Sequence, residues 1–216
     1  MNNKTKMFNK SFNDLSFIEN LSKKKDKFVF VFDFDLTLTS QSSDGMTKKY
    51  SNYIELFDSE HKLDKLKYYL NRIFESGNVI YINTRALTSD IVLILKNVNI
   101  EVGENKLIKD IKGSNRKEQI TNPFTGTELE KYNLTGVTDE SVLWGVKKVV
   151  YLNQIKDEEK VPIENVFFFD DSIININTAK VNGYNNSFLI GSNDSGLFGL
   201  DFLLIKLSQI LDILKL

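Results

Sequence analysis

The sequence has 216 residues, of which 41% are hydrophobic and 26% charged, and its net charge is −1. These values are ordinary for a globular protein with a sizeable core, and they give no overall attraction to nucleic acid or to an anionic membrane. The chain has no cysteine and a single histidine, His61. Disulfide scaffolds, thiolate metal sites and cysteine nucleophiles are therefore excluded, and a histidine-based triad is disfavoured.

Residues 1–27 form a polar, lysine-bearing lead-in, with a short helix predicted at 14–22. No apolar run there has the length of a signal-peptide core, and none elsewhere has the length of a membrane span. We therefore expect one domain over residues 1–216, with a cytoplasmic location and no transmembrane segment.

Runs of apolar, β-branched and aromatic residues predict four buried strands. The runs are residues 28–32, 79–82, 166–169 and 187–190. Such unbroken runs are typical of parallel strands that are covered on both faces. Apolar side chains at three- and four-residue spacing predict helices at 64–74, 89–97 and 141–155. This alternation predicts an α/β fold: a doubly wound parallel sheet with helices on both faces.

Two segments differ in pattern from this alternating core. Residues 113–136 contain Asn122, Pro123 and two threonine–glycine pairs, so we predict a small insertion made of turns, with room for a hairpin. Residues 197–216 are rich in leucine and isoleucine but interrupted by charges, which predicts a C-terminal helix docked on the sheet.

Polar side chains gather where three of the predicted strands end. The groups, in chain order, are Asp33, Asp35 and Thr37; then Asn83, Thr84 and Arg85; then Asp170, Asp171, Ser172 and Asn175. Lys147 and Lys148 begin the predicted helix before the third of these strands. In a parallel sheet these strand ends meet at one edge, which is where ligands bind.

This set of residue types suits phosphoryl chemistry. Carboxylates from two strands form an all-oxygen site suited to Mg²⁺. A carboxylate can also attack phosphorus to form an acyl-phosphate, while a lysine and a hydroxyl orient the phosphoryl oxygens. A second carboxylate nearby can protonate the leaving oxygen and later activate water.

The ordered set Asp33-x-Asp35-x-Thr37, Thr84, a lysine and Asp170–Asp171 resembles the four motifs of the haloacid dehalogenase (HAD) superfamily. The resemblance covers about residues 28–190. It implies a Rossmann-like core and a Mg²⁺-dependent phosphatase.

The resemblance also implies a role for each matching residue. Asp33 is implied as nucleophile and metal ligand, and Asp35 as general acid/base whose backbone carbonyl binds Mg²⁺. Thr84 and the motif lysine are implied to hold the phosphoryl group, and Asp170 to bind Mg²⁺. Supporting roles fall to Thr37, Asp171 and Asn175.

Two assignments within the motifs stay open. Lys147 and Lys148 both fit the spacing to Asp170, and we favour Lys148 because apolar residues follow it at helical spacing. Arg85 either contacts substrate phosphate or pairs with a surface acid.

The gaps between the motifs are short, which implies a capless HAD phosphatase with an open site. An open site admits a phosphorylated protein side chain, so a phosphotyrosine or phosphoserine/threonine substrate is expected. A small sugar or nucleotide phosphate is the alternative substrate, and a non-catalytic phosphate- or Mg²⁺-binding interaction module is the alternative function. The lysine- and asparagine-rich composition is similar to that of HAD phosphatase domains in bacterial effectors, which implies a soluble effector delivered without a cleaved signal peptide.

Overall fold

Five parallel strands form the centre of the molecule, in the order β3-β2-β1-β4-β5. The structure is a computed structural model that describes residues 26–43, 52–191 and 199–216. The helix predicted at 14–22 lies outside these residues. The strands are β1 (Val29–Phe32), β2 (Val79–Leu87), β3 (Asp110–Ser114), β4 (Val166–Asp170) and β5 (Ser187–Leu189).

Helices connect the strands. They are α1 (Glu60–Glu75), α2 (Thr88–Asn97), α3 (Glu118–Thr121), α4 (Gly126–Lys131), α5 (Glu140–Glu159), α6 (Ile173–Val181) and α7 (Leu200–Leu214). Short 3-10 helices lie at Tyr53–Phe57 and Ile163–Asn165. The chain moves outward from β1 to β2 and β3, and then from β4 to β5 on the other side of β1. Strand order therefore switches between β1 and β4.

Alternate residues of β1 face opposite layers. Phe30 and Phe32 pack in the core that contains α1, α2 and α7, and Val29 and Val31 pack in the core that contains α5 and α6. Stacked rings join neighbouring strands on the first face, with centroids 4.9 Å apart for Phe32 and Phe169. The predicted doubly wound sheet with helices on both faces is confirmed.

The second strand is longer than the sequence pattern predicts. β2 continues through Asn83, Thr84 and Arg85 to Leu87, because β3 pairs with it and its register shifts between Asn83 and Leu87. The polar residues expected after this strand therefore lie within it.

Residues 113–136 do not form the hairpin for which the sequence analysis left room. These residues hold the end of β3 and the short helices α3 and α4. Thr125 and Glu128 form a reciprocal capping box at the start of α4, so a threonine–glycine pair interpreted as a turn begins a helix instead.

The C-terminal helix α7 packs against α1 in the larger core. Lys62 of α1 also donates to Asp201 of α7 over 2.8 Å. Among the described residues, no helix combines the length and the apolar character needed to cross a bilayer.

Candidate active site

The sheet register places Asp33 beside Asp170. Phe32 pairs with Phe169, and the backbone N–H of Asp33 donates to the carbonyl of Phe169 over 2.8 Å. On the other side of β1, Phe32 pairs with Ile82. The residues that follow these partners, Asp170 on β4 and Asn83 on β2, thus flank Asp33 at the carboxyl edge of the sheet.

Lys148 joins the two carboxylates. Its Nζ lies 2.7 Å from Asp33 Oδ1 and 2.5 Å from Asp170 Oδ2, and the side chain is buried. Lys147 points elsewhere: its Nζ donates to Glu128 Oε1 over 3.1 Å and lies 4.8 Å from the centre of the Phe124 ring. Of the two candidate lysines, Lys148 is the one that faces the strand ends.

The other oxygen of Asp170 is held by the start of α6. Asp170 Oδ1 accepts from the backbone N–H of Ser172 at 2.8 Å and from Asn175 Nδ2 at 2.9 Å. Ser172 caps this helix by accepting from the backbone N–H of Asn175. Asp170 therefore has one oxygen fixed by a helix terminus and the other by an ammonium group.

Three carboxylates lie close enough to share a cation. Oxygens of Asp33, Asp170 and Asp171 all lie within 4.8 Å of one another. A cluster made of carboxylate oxygens alone is the donor set that a hard divalent ion such as Mg²⁺ prefers, so these residues fit the predicted metal. The cluster includes Asp171, for which the family resemblance implied only a supporting role.

The electrostatics of this cluster favour added positive charge. Burial raises the pKa of Asp33 well above its usual value, against the opposing pull of the Lys148 ammonium. Burial and the nearby Asp170 raise the pKa of Asp171 to about 6. Burial alone would lower the pKa of Lys148, but Asp170 and Asp33 raise it above its ordinary value. One ammonium group thus faces three carboxylates, and a divalent cation would offset the excess negative charge.

Asp35 belongs to a different part of the site. Its Oδ1 accepts from the backbone N–H of Ser43 at 2.5 Å, and its Oδ2 accepts from the Ser43 hydroxyl at 3.1 Å. This carboxylate is anchored two residues beyond Asp33 and lines the same cavity. This position beside Asp33 suits a group that gives and takes protons.

The segment after β1, Phe34–Leu38, forms a kinked loop that we call the β1 loop. Leu36 within it has a left-handed backbone with φ of 58°. Gly199, with φ of 50°, fits against this loop so closely that a Cβ there would lie 2.9 Å from the Leu36 carbonyl oxygen. Thr37 is buried, and its hydroxyl has no hydrogen-bond partner among the described residues.

These groups open into a cavity of about 410 Å³. Its lining includes carboxylates, Lys148 and hydroxyls, together with four apolar residues, Leu36, Ala86, Ile120 and Trp144. Thr84 lines it too, and its hydroxyl accepts from the backbone N–H of Ala86 at 3.1 Å.

Arg85 also lines the cavity, and two of its nitrogens donate to other parts of the protein. Its Nε donates to the carbonyl of Ile120 over 2.9 Å, and its guanidinium group pairs with Glu140. Of the two expectations for Arg85, pairing with an acid is the one present in the structure.

The fold is similar to that of a solved phosphatase. The structure is similar to 3-deoxy-D-manno-octulosonate 8-phosphate phosphatase from Moraxella catarrhalis, solved with a magnesium ion, a phosphate ion and a KDO molecule. The TM-score is 0.50 at 13% identity, and the match covers 92% of each chain. The chain shares the fold of this phosphatase.

A hypothetical protein from Xanthomonas campestris is also similar in fold. The TM-score is 0.54 at 10% identity, and the match covers 95% of this chain and 92% of that one. No protein-family model matches the sequence, and no curated protein does either. At these identities the similarity establishes the fold.

Several residues of the site were not predicted from the sequence. Ser43 and Ile120 lie on loops or short elements, and nothing in the local pattern links them to the HAD motifs. Trp144 did carry a signal, because it precedes Lys148 by four residues and so lies on the same side of α5.

Proposed function

We propose that this chain is a Mg²⁺-dependent phosphatase that hydrolyses phosphomonoesters through an aspartyl-phosphate on Asp33. The observation that supports this most is the convergence of Asp33, Asp170 and Lys148 from three separate elements. A second anchored carboxylate, Asp35, lies in the same cavity. The shared fold with a phosphatase adds support at the level of architecture.

In the proposed first step, a carboxylate oxygen of Asp33 attacks phosphorus while the bond from phosphorus to the ester oxygen breaks. Asp35 donates a proton to that departing oxygen. The Lys148 ammonium and the Thr84 hydroxyl orient the phosphoryl oxygens.

In the second step, water attacks phosphorus, Asp35 takes the proton from that water, and Asp33 is released together with inorganic phosphate. The residues that would hold Mg²⁺ are Asp33, Asp170 and the backbone carbonyl of Asp35, with Asp171 adjoining them. When bound, Mg²⁺ supplies positive charge that offsets these carboxylates and the phosphoryl oxygens. Asn175 acts by orienting Asp170.

A capless architecture is part of this proposal. Between β1 and β2, α1 packs in the core and forms no lid. After β2, α3 has 4 residues and α4 has 6, which is too small for a separate cap domain. These statements concern the residues that the structure describes, and the open geometry that they support would admit a large substrate.

Two classes of substrate are compatible with this site. A phosphorylated protein side chain is one candidate, on the basis of the open site. The phosphatase that shares the fold is named for a small sugar-acid phosphate, which favours a small phosphomonoester as the second candidate. An effector role has no support beyond composition.

A colorimetric assay with para-nitrophenyl phosphate tests the activity. We expect turnover that requires Mg²⁺, is abolished by EDTA and is lost in Asp33→Asn. A folded protein that releases no phosphate from this ester or from a panel of phosphopeptides, sugar phosphates and nucleotides would favour the rival function, a non-catalytic binding module.

A further inference from the structure

One wall of the cavity is apolar. Ala86, Ile120 and Trp144 come from β2, α3 and α5. The carbonyl of Ile120 accepts from Trp144 Nε1 at 2.8 Å and from Arg85 Nε at 2.9 Å. Because Arg85 directly precedes Ala86 in β2, these two bonds connect the three elements that carry the wall.

Leu36 lines the cavity together with this wall. Single exposed apolar residues are normal on a protein surface, but a group of apolar side chains that lines one cavity is a candidate binding site for apolar groups.

Leu36 is the least expected of these residues. Its φ of 58° is a conformation that glycine and asparagine adopt more readily than leucine, and its side chain is 42% exposed. Neither the backbone nor burial in the core therefore favours leucine here. Its side chain lines the cavity next to Asp35, the proposed proton donor to the leaving oxygen. The exposed Leu36 side chain is therefore available to contact a leaving group in the cavity.

The charged residues of the lining also favour a leaving group without a second anionic group. Lys148 is held by Asp33 and Asp170, and Arg85 is paired with Glu140. Among the described lining residues, no other lysine or arginine occurs. Besides Lys148, the one cation in this described lining is Arg85, so a substrate with a second anionic group, such as a carboxylate or another phosphate, would compete with Glu140 for it.

We propose that the substrate is a phosphate ester of an apolar alcohol, and that Leu36 and Ile120 determine this specificity. This inference rests on the phosphatase function proposed above. A small aromatic ester and the phosphotyrosine side chain of a protein share this chemistry. The leaving group packs against Leu36 and the wall of Ala86, Ile120 and Trp144 while Asp33 attacks its phosphorus.

The test compares esters that release alcohols of the same kind. Benzyl phosphate and glucose 6-phosphate both release a primary alcohol, so the ratio of their kcat/KM values reports contact with the leaving group and not its reactivity. We expect benzyl phosphate to be favoured by about tenfold or more, the usual scale of discrimination by a hydrophobic pocket. Free phosphotyrosine and a phosphotyrosine peptide, compared in the same assay, distinguish a small ester from a protein substrate.

Two variants and a matched control locate the specificity. Leu36→Ser and Ile120→Ser are expected to lower the ratio of benzyl phosphate to glucose 6-phosphate about tenfold. Ile205→Ser removes an apolar side chain of similar exposure, 45%, from α7 outside the cavity lining and should keep the wild-type ratio. Circular dichroism establishes that each variant is folded.

The outcomes separate the two proposals. An equal or reversed ratio in an active wild-type enzyme overturns the specificity and leaves the phosphatase function standing. An unchanged ratio in both cavity variants also overturns it. Absence of Mg²⁺-dependent turnover of every ester overturns the phosphatase function, and the specificity with it.

Discussion

The Nζ atom of Lys148 lies 2.7 Å from Oδ1 of Asp33, although 115 residues separate them in the chain. The contact depends on α5, which packs on the sheet face formed by Val29 and Val31. Leu152 and Ile155 of the same helix are buried there and fix the rotation of α5, so that Lys148 points toward the strand ends.

Replacing Lys148 by methionine should lower kcat by about 10²–10³, the typical effect of removing one preorganised group that stabilises the transition state. The ammonium is expected to act on the phosphoryl oxygens, so KM should change less than kcat. Lys147→Met is the matched control, since Lys147 contacts Glu128 instead of the carboxylates. An equal loss in both variants would contradict the assignment of Lys148.

Asn175→Ala should weaken Mg²⁺ activation. Asn175 Nδ2 donates to Asp170 Oδ1, and loss of a residue that orients a metal ligand typically costs about 10–100-fold in metal affinity. The measurement is the Mg²⁺ concentration that gives half-maximal activity. Asn182→Ala, at the end of the same helix, removes a bond to the Thr178 carbonyl and should leave that concentration unchanged.

Gly199→Ala should disturb the β1 loop. A Cβ at residue 199 would meet the backbone oxygens of Leu36 at 2.9 Å and Thr39 at 3.0 Å, and the positive φ adds strain. We expect a lower melting temperature and reduced kcat, because Asp35 lies on this loop. Gly126→Ala, where nothing lies within 4 Å, is the control. Wild-type activity in a Gly199→Ala variant would show that the loop tolerates displacement.

Ionisation of Glu159 should make the free energy of unfolding depend on pH in the acid range. Burial would raise its pKa, but hydrogen bonds from Lys109, Lys27 and Tyr81 outweigh this and lower the pKa from 4.5 to about 2. Because the pKa is lowered in the folded state, the ionised Glu159 carboxylate contributes fully to the free energy of unfolding above pH 4.5. That contribution is lost as the pH falls toward 2.

Urea unfolding of the wild type and of Glu159→Gln at several pH values measures this contribution. The variant should be less stable than the wild type at neutral pH, and the difference should shrink as pH falls through that window. Glu101→Gln, which removes an exposed pair with Lys106, is the control. A difference that does not depend on pH would show that the carboxylate charge is unimportant.

Much of this architecture follows from local sequence patterns. The apolar runs identify β1 and β4 because strands buried on both faces need apolar side chains at every position. The spacing of apolar residues after Lys148 indicates which of two neighbouring lysines faces inward. The Thr125–Glu128 capping box is also visible in the sequence, as a threonine followed three residues later by a glutamate. This pattern predicts the start of a helix and not a hairpin.

Other features depend on tertiary pairing. Thr84 lies within β2 because β3 extends the strand, and nothing near Thr84 in the sequence indicates that pairing. The bond from Ser43 to Asp35 requires the chain to fold back over eight residues. The wall formed by Ile120 and Trp144 joins residues from α3 and α5, which only the folded chain brings together.

We propose that Asp33 carries the phosphoryl group during turnover. Rapid acid quenching during Mg²⁺-dependent hydrolysis, followed by mass spectrometry of the proteolytic peptides, tests it most directly. We predict a phosphoryl adduct on the peptide that contains Asp33, and neither adduct nor turnover in Asp33→Asn. Sustained turnover by Asp33→Asn, or an adduct on a different residue, would contradict the account.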